Sequence, residues 1–356
     1  MSDTPELLDK LLRVPAPSGY ETPAAEVWRE AAGKFGDVTS DVLGSSVVEV
    51  GTADDKPTVA VVGHIDEIGL FVSHIDDDGF LWFGPIGGWD PANLVGQRVI
   101  VRGSGAGAEA EVRGVIGKKA IHLMEPDDRK KAAEIKNLHI DIGAKDKEDA
   151  EKYVRVGDPA VLDAEPVALP NNRLVSRSMD NRLGSYVSNE VARRIAEGDA
   201  PAVGVAGCAV SQEELGIFGA TATSFSLNPE VAIVVDVTHA TDAPGIDKKE
   251  NGDHALGSGP VIGRGSTLGP RVYELLRETA EAEGIDVTYE ASGRYTGTDA
   301  DAFQIARGGI ATGLVSIPLR YMHSSVEMVQ LDDVENVIKL IVAFIRRMDA
   351  SEDFRR

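Results

Sequence analysis

The sequence predicts an α/β fold, a sheet flanked by helices, with a small β-rich domain inserted into it. Two continuous apolar runs, at 203–210 and 231–235, read as strands covered on both faces. Helical apolar spacing recurs around them, at Leu183, Tyr186, Val187, Val191 and Ile195 and again at Val337, Leu340, Ile341 and Phe344. Between about residues 70 and 167 the texture changes to short β-like runs separated by glycine-rich turns. The expected division is therefore 1–69 and 166–356 for the larger domain and 70–165 for the insertion.

From the start of the chain, Thr4 and Pro5 suit an N-cap and a first helical position, with Leu7, Leu8, Leu11 and Leu12 as the apolar face. Pro15-Ala16-Pro17-Ser18-Gly19 ends that helix. A second helix is expected from 22 to about 34, then strands near 46–50 and 58–62. Inside the insertion, 79–83, 98–102, 111–116 and 159–161 read as strands, while 129–152 is charged and helix- or loop-like. Trp82, Phe83 and Trp89 are either its core or an exposed contact for a partner subunit. Ser178-Met179-Asp180-Asn181 opens a helix, and the 203–210 strand ends in the turn Ser211-Gln212-Glu213-Glu214-Leu215-Gly216. After the run ending at Asp236, residues 257–269 read as loop, 270–283 as helix and 287–289 as strand. A short helix starts near 297–300, a strand at 313–317 leads towards His323, and a helix over 332–348 closes the chain.

Composition narrows the classes of function. The 356 residues are 42% hydrophobic, and no apolar run is long enough to cross a bilayer. The N-terminus lacks a basic stretch followed by an apolar one, so a cytoplasmic location is expected. Cys208, the single cysteine, lies in an apolar run and reads as a buried structural thiol. A net charge of -22 argues against nucleic acid as a partner. The acid is spread along the whole chain and arginine outnumbers lysine, which predicts a protein suited to concentrated salt.

Glu213 and Glu214 stand side by side after a buried strand, where adjacent side chains diverge. One can bind a metal while its neighbour handles a proton; the plainer reading is a solvated turn at a helix N-terminus. His64 and Asp66, two apart at a strand end, share a face, and an acid beside an imidazole is a common arrangement at metals. Asp180 is either an N-cap, a role Asn181 could also fill, or a ligand at a helix start. Asp236 ends an apolar strand, where α/β folds place ligands. With His323 these make five candidate ligands, His64, Asp180, Glu214, Asp236 and His323. Nitrogen and carboxylate donors without cysteine suit zinc, cobalt or manganese. Two ions fit if Asp180 bridges, with His64 and Asp236 on one and Glu214 and His323 on the other. Glu213 is then free to accept a proton.

The segments Gly63-His64-Ile65-Asp66-Glu67-Ile68-Gly69, Met179-Asp180-Asn181-Arg182, Gln212-Glu213-Glu214-Leu215-Gly216, Val235-Asp236, Thr298-Asp299-Ala300 and Tyr321-Met322-His323-Ser324 occur in that order. Together they resemble the tetrahedral (TET) aminopeptidases, the glutamyl and deblocking family of dinuclear metallopeptidases, over almost the whole chain. The resemblance implies a zinc-aminopeptidase-like catalytic domain on a mixed sheet, and a PDZ-like inserted domain used for dimerisation. It implies two divalent ions per subunit on His64, Asp180, Glu214, Asp236 and His323. It makes Glu213 the general base and Asp66 the acid behind His64, with a cis peptide bond after Asp180. Peptides are the implied substrates and a hollow homododecamer the implied assembly. Ser325 stands where many relatives carry proline. The competing readings are an endoglucanase-type glycoside hydrolase built on an acid pair, and a non-catalytic metal-binding assembly.

Overall fold

The computed structural model describes residues 4–53, 55–105 and 110–356. Helices α1 (Glu6–Arg13) and α2 (Thr22–Ala32) lead into strands β1 (Asp37–Ser40), β2 (Ser46–Val50) and β3 (Thr58–His64). Then come β4 (Gly69–Ile75), β5 (Leu81–Ile86), β6 (Arg98–Gly103), β7 (Ala110–Gly117), β8 (His139–Asp141), the single turn α3 (Lys147–Ala150) and β9 (Pro159–Leu162). The chain returns through β10 (Val167–Leu169), β11 (Arg173–Ser176), α4 (Met179–Ala196), β12 (Gly204–Val210), α5 (Phe218–Leu227), β13 (Val231–His239) and α6 (Lys248–Asn251). It ends with β14 (Val261–Gly265), α7 (Pro270–Glu283), β15 (Thr288–Ser292), α8 (Ala300–Phe303), β16 (Ala311–Leu319), β17 (Glu327–Gln330) and α9 (Leu331–Arg347).

Eight strands form one sheet in the order β1-β2-β12-β3-β13-β16-β14-β15. β12, β3, β13 and β16 run parallel, while β2 joins β12 and β14 joins β16 antiparallel, so the sheet is mixed. The central strands are apolar throughout because both their faces are covered. Every residue of β12 is buried. One face packs under α1, α2, α4, α7 and α9, around Trp28, Leu183, Leu276 and Phe344. The other packs under α5 and α8, around Val62, Cys208, Val234 and Phe303. Gly63 in β3 lies against Gly184 in α4, where a Cβ on Gly63 would come within 2.2 Å of the Gly184 carbonyl carbon. Only two facing glycines let that helix and strand approach so closely.

The strands from β4 to β9 close into a six-stranded barrel, in the order β4-β5-β8-β7-β6-β9. Its core includes Leu70, Leu81, Phe83, Val99 and Ile140. Phe83 is thus core, whereas Trp82 and Trp89 are half-buried and donate to Asp76 and to the Gly69 carbonyl. A third sheet, β10-β11-β17, brings Glu327 beside the start of α4.

The structure corrects several expectations. Residues 257–269 are not all loop: β14 lies within them, held by pairing with β15 and β16. The charged stretch 129–152 contributes β8, with Ile140 inside the barrel. Pro5, not Thr4, caps α1, with no side-chain cap bond. Neither Asp180 nor Asn181 caps α4: Ser178 precedes it, the Asp180–Asn181 peptide bond is cis, and both residues have non-helical backbone angles.

Candidate active site

The parallel strands end together at one edge, and the candidate residues gather there. His64 is the last residue of β3, Asp236 lies near the end of β13, and Glu213 and Glu214 sit in the turn after β12. β16 continues into the loop bearing His323. Asp180 stands in the middle, its Oδ1 3.2 Å from His64 Nε2 and its Oδ2 3.2 Å from His323 Nε2. Glu214 Oε1 is 3.3 Å from the same His323 nitrogen, and Glu213 Oε2 is 3.9 Å from His64 Nε2. Ligand atoms of His64, Asp180 and Asp236 all lie within 4.8 Å of one another, as do those of Asp180, Glu214 and His323. Atoms sharing one tetrahedral ion, at bond lengths of about 2.0–2.1 Å, stand about 3.3–3.4 Å apart. The donor set and its spacing therefore fit two divalent ions with Asp180 between them.

Surrounding groups fix each ligand. Asp66 Oδ1 lies 3.4 Å from His64 Nδ1, which leaves Nε2 facing the cluster. His323 Nδ1 is 2.8 Å from the Gly88 carbonyl oxygen, an acceptor only, so Nδ1 carries a proton and Nε2 is the nitrogen turned to the cluster. Gly88 belongs to the loop after β5, so the barrel reaches into this site. Asp66 also accepts the backbone N–H groups of Glu213 and Glu214, both at 3.1 Å, and so holds both acids of the turn. Glu327 accepts the N–H of Asp180 at 3.2 Å and of His323 at 2.8 Å. Buried Arg182 pairs with Glu67 at 2.9 Å and donates to the Ile65 carbonyl at 2.8 Å, tying the start of α4 to the end of β3. Positive φ angles at Ser178, Gln212 and His323 mark a backbone that these contacts hold in place.

The electrostatics are those of a site that attracts cations. Burial alone would lower the His64 pKa, yet the Asp180 and Asp66 carboxylates outweigh it and hold the ring well above the ordinary value. Asp180 and Glu214 raise His323 to about 11. Burial would raise Asp180, but the two imidazoles hold it below the usual carboxylate range. Burial pushes Glu213 up to about 10 against the pull of His64, with Asp299, Asp236 and Glu214 adding repulsion. Asp236 is driven well above its ordinary value, chiefly by burial. Divalent cations held among these groups would favour the ionised form of every carboxylate, opposing the burial and mutual repulsion that raise Glu213 and Asp236.

The cluster forms the floor of a cleft of about 350 Å³ whose further walls come from β13, β14, β15 and the loop before α8. The M42 glutamyl aminopeptidase model matches residues 44–340, most of the chain. The chain belongs to that family. It is an aminopeptidase, a hydrolase of the metal-dependent kind the family comprises. It is 35% identical to a lysyl aminopeptidase of Pyrococcus furiosus, over 96% of this chain and 97% of that one. The crystal structure of a TET aminopeptidase from a marine-sediment Thaumarchaeota archaeon superposes with a TM-score of 0.91, at 34% identity, covering 97% of this chain and 96% of that one. A TET1 peptidase of Pyrococcus horikoshii, which assembles into a tetrahedron or a large octahedral shell, matches with a TM-score of 0.84, at 31% identity over 96% and 99% of the two chains.

In this aminopeptidase all seven residues singled out from the sequence converge. Sequence reasoning missed Glu327 and Gly88. A lone glutamate opening a short strand carries no pattern, and Gly88 lies in a glycine-rich loop 235 positions from its partner. Asp299 was visible within a motif but without a role. It is fully buried, and neither carboxylate oxygen has a hydrogen-bond partner among the described residues. Among the described residues no helix is long and apolar enough to cross a membrane.

Proposed function

We propose that the protein removes the N-terminal residue of short peptides with two divalent ions per subunit, zinc or cobalt, with manganese also accommodated. The observation that carries this reading is Asp180, whose two oxygens each stand 3.2 Å from a different imidazole, so that one carboxylate can serve an ion beside each. His64 and Asp236 hold one ion, Glu214 and His323 the other. Ions held there supply Lewis acidity towards the scissile carbonyl and make water a better nucleophile. Glu213, which this reading leaves off the ions although its ligand atoms group with those of His64 and Glu214, takes the proton of the attacking water and passes it to the leaving amine. Asp66 orients His64, and through its two backbone contacts it sets the Glu213–Glu214 turn. The geometry suits a glycosidase less well: Asp180 and Glu214 are engaged with imidazoles, which an acid pair working on a sugar would not need.

Self-association belongs to the same proposal. Exposed Ile121 and Leu123 in the inserted region, and Phe218, Phe225 and Ile305 on the α5–α8 face, are large apolar groups of the kind that interfaces cover. We assign the insertion, 70–165, to dimer contacts and the whole to a tetrahedral dodecamer working in the cytoplasm on peptides. The decisive variant is Glu213→Gln. It should abolish turnover of aminoacyl p-nitroanilides while metal content stays at two ions per subunit. Wild-type turnover in that variant would remove Glu213 from its role, and loss of metal would make it a ligand instead.

A further inference from the structure

We propose that Glu290 sets specificity, binding the cationic side chain of a lysine or arginine at the first position of the peptide; this rests on the aminopeptidase reading of the cleft. Asp236 and Thr238 alternate along β13 and share a face, the one packed on α5 and α8. Thr238 Oγ1 donates to Glu290 Oε1 at 3.2 Å. Thr238 stands one alternate-residue step, roughly 6–7 Å, from the metal-ligand position Asp236, with the Glu290 carboxylate one hydrogen bond beyond it. A long side chain projecting from a residue held at the ions covers that distance.

The walls between suit such a side chain. Glu290 is paired in register with Gly263, and Leu268 and Leu314 flank that glycine in the same cleft. The methylene stem of lysine or arginine packs on the leucines while its head reaches the carboxylate. Glu290 is half-buried, and no cation pairs with it among the described residues. Arg264, the neighbouring cation on β14, also lines the cleft, but it is exposed and its guanidinium lies over the Tyr273 ring, 5.2 Å from the centroid. Tyr273 in turn packs on Tyr289, which alternates with Glu290 and faces away from the cleft. With the Arg264 guanidinium turned onto Tyr273, the charge beside Thr238 on this wall is that of Glu290. A partly desolvated carboxylate accepts an apolar or acidic first residue poorly, because that residue leaves it unpaired.

The test compares lysine-, arginine-, leucine- and glutamate-first p-nitroanilides on metal-loaded wild type, Glu290→Gln and Glu290→Lys at one KCl concentration. Wild type should favour the basic substrates. Glu290→Gln should lower the lysine-to-leucine ratio of kcat/KM by about 10–100-fold, the worth of one hydrogen-bonded charge pair, mainly through KM. Glu290→Lys should turn the preference towards glutamate-first substrates. A ratio unchanged in Glu290→Gln would overturn the proposal. So would an equal fall on all four substrates, which would assign Glu290 to the α-amine that they share. Wild type inert on every substrate would instead remove the aminopeptidase reading itself.

Discussion

Glu327 governs the site from outside the ligand set. Its oxygens take the backbone N–H groups of Asp180 and His323, so one buried side chain fixes two ligand-bearing segments from different parts of the chain. Alanine there strands two amides, at about 1–3 kcal/mol each. Glutamine does little better, since its NH2 must face an N–H. Both variants should bind zinc or cobalt 10–100-fold more weakly, the usual order for lost support behind a ligand. Calorimetric titration reads this directly, and wild-type affinity would show the contact to be incidental. Ion removal acts at the same scale. Asp180, Glu213, Glu214 and Asp236 are crowded and mostly buried, and without divalent charge they retain their repulsion. Chelation should lower the melting midpoint and added zinc or cobalt should restore it, since a ligand at 100 times its Kd stabilises by about 2.7 kcal/mol. A midpoint indifferent to chelator would mean that no ion binds this cluster.

At the scale of elements, the close approach of β3 and α4 sets where His64 points. Gly63→Ala drives a methyl into the Gly184 backbone, and neither main chain can yield without moving the sheet or the helix. We expect a loss of about 3 kcal/mol or more in denaturant unfolding, together with lost activity, because His64 is the next residue. A variant as stable and active as wild type would contradict the packing described. The same elements explain what the sequence made legible. β12 and β13 announce themselves as apolar runs because both faces of a central strand are covered, and an acid at the end of such a run stands out. β14 did not: Val261 and Ile262 are followed by Gly263, Arg264 and Gly265, and what makes the segment a strand is pairing with β15 and β16. β8 buries only Ile140, too little for a periodic signal. The ligands were readable because their residue types are unusual at strand ends. The Gly88 carbonyl was not, because a main-chain acceptor carries no residue type.

At the scale of the whole molecule, charge decides behaviour in salt. The chain has 58 acidic and 36 basic residues, and its net charge is -22. Some of that acid is locally neutralised: Glu190 is clamped by Arg193 and Arg194, and Arg194 also reaches Glu335. Such surface pairs contribute about 0–1 kcal/mol each, and salt weakens them. The unpaired excess acts the other way. Its repulsion extends over about 10 Å at 0.1 M salt and only about 3 Å at 1 M, so screening removes a cost summed over the entire surface. Repulsion should outweigh the lost pairs because the acids outnumber the bases so heavily. The unfolding midpoint should therefore rise between 0.1 and 2 M KCl, and low salt should also loosen any assembly whose subunits each carry this charge. Sodium and potassium chloride should act alike, since screening depends on ionic strength. A midpoint that stays level or falls over that range would show that local pairing dominates, and the acidic surface would then need a cause other than salt.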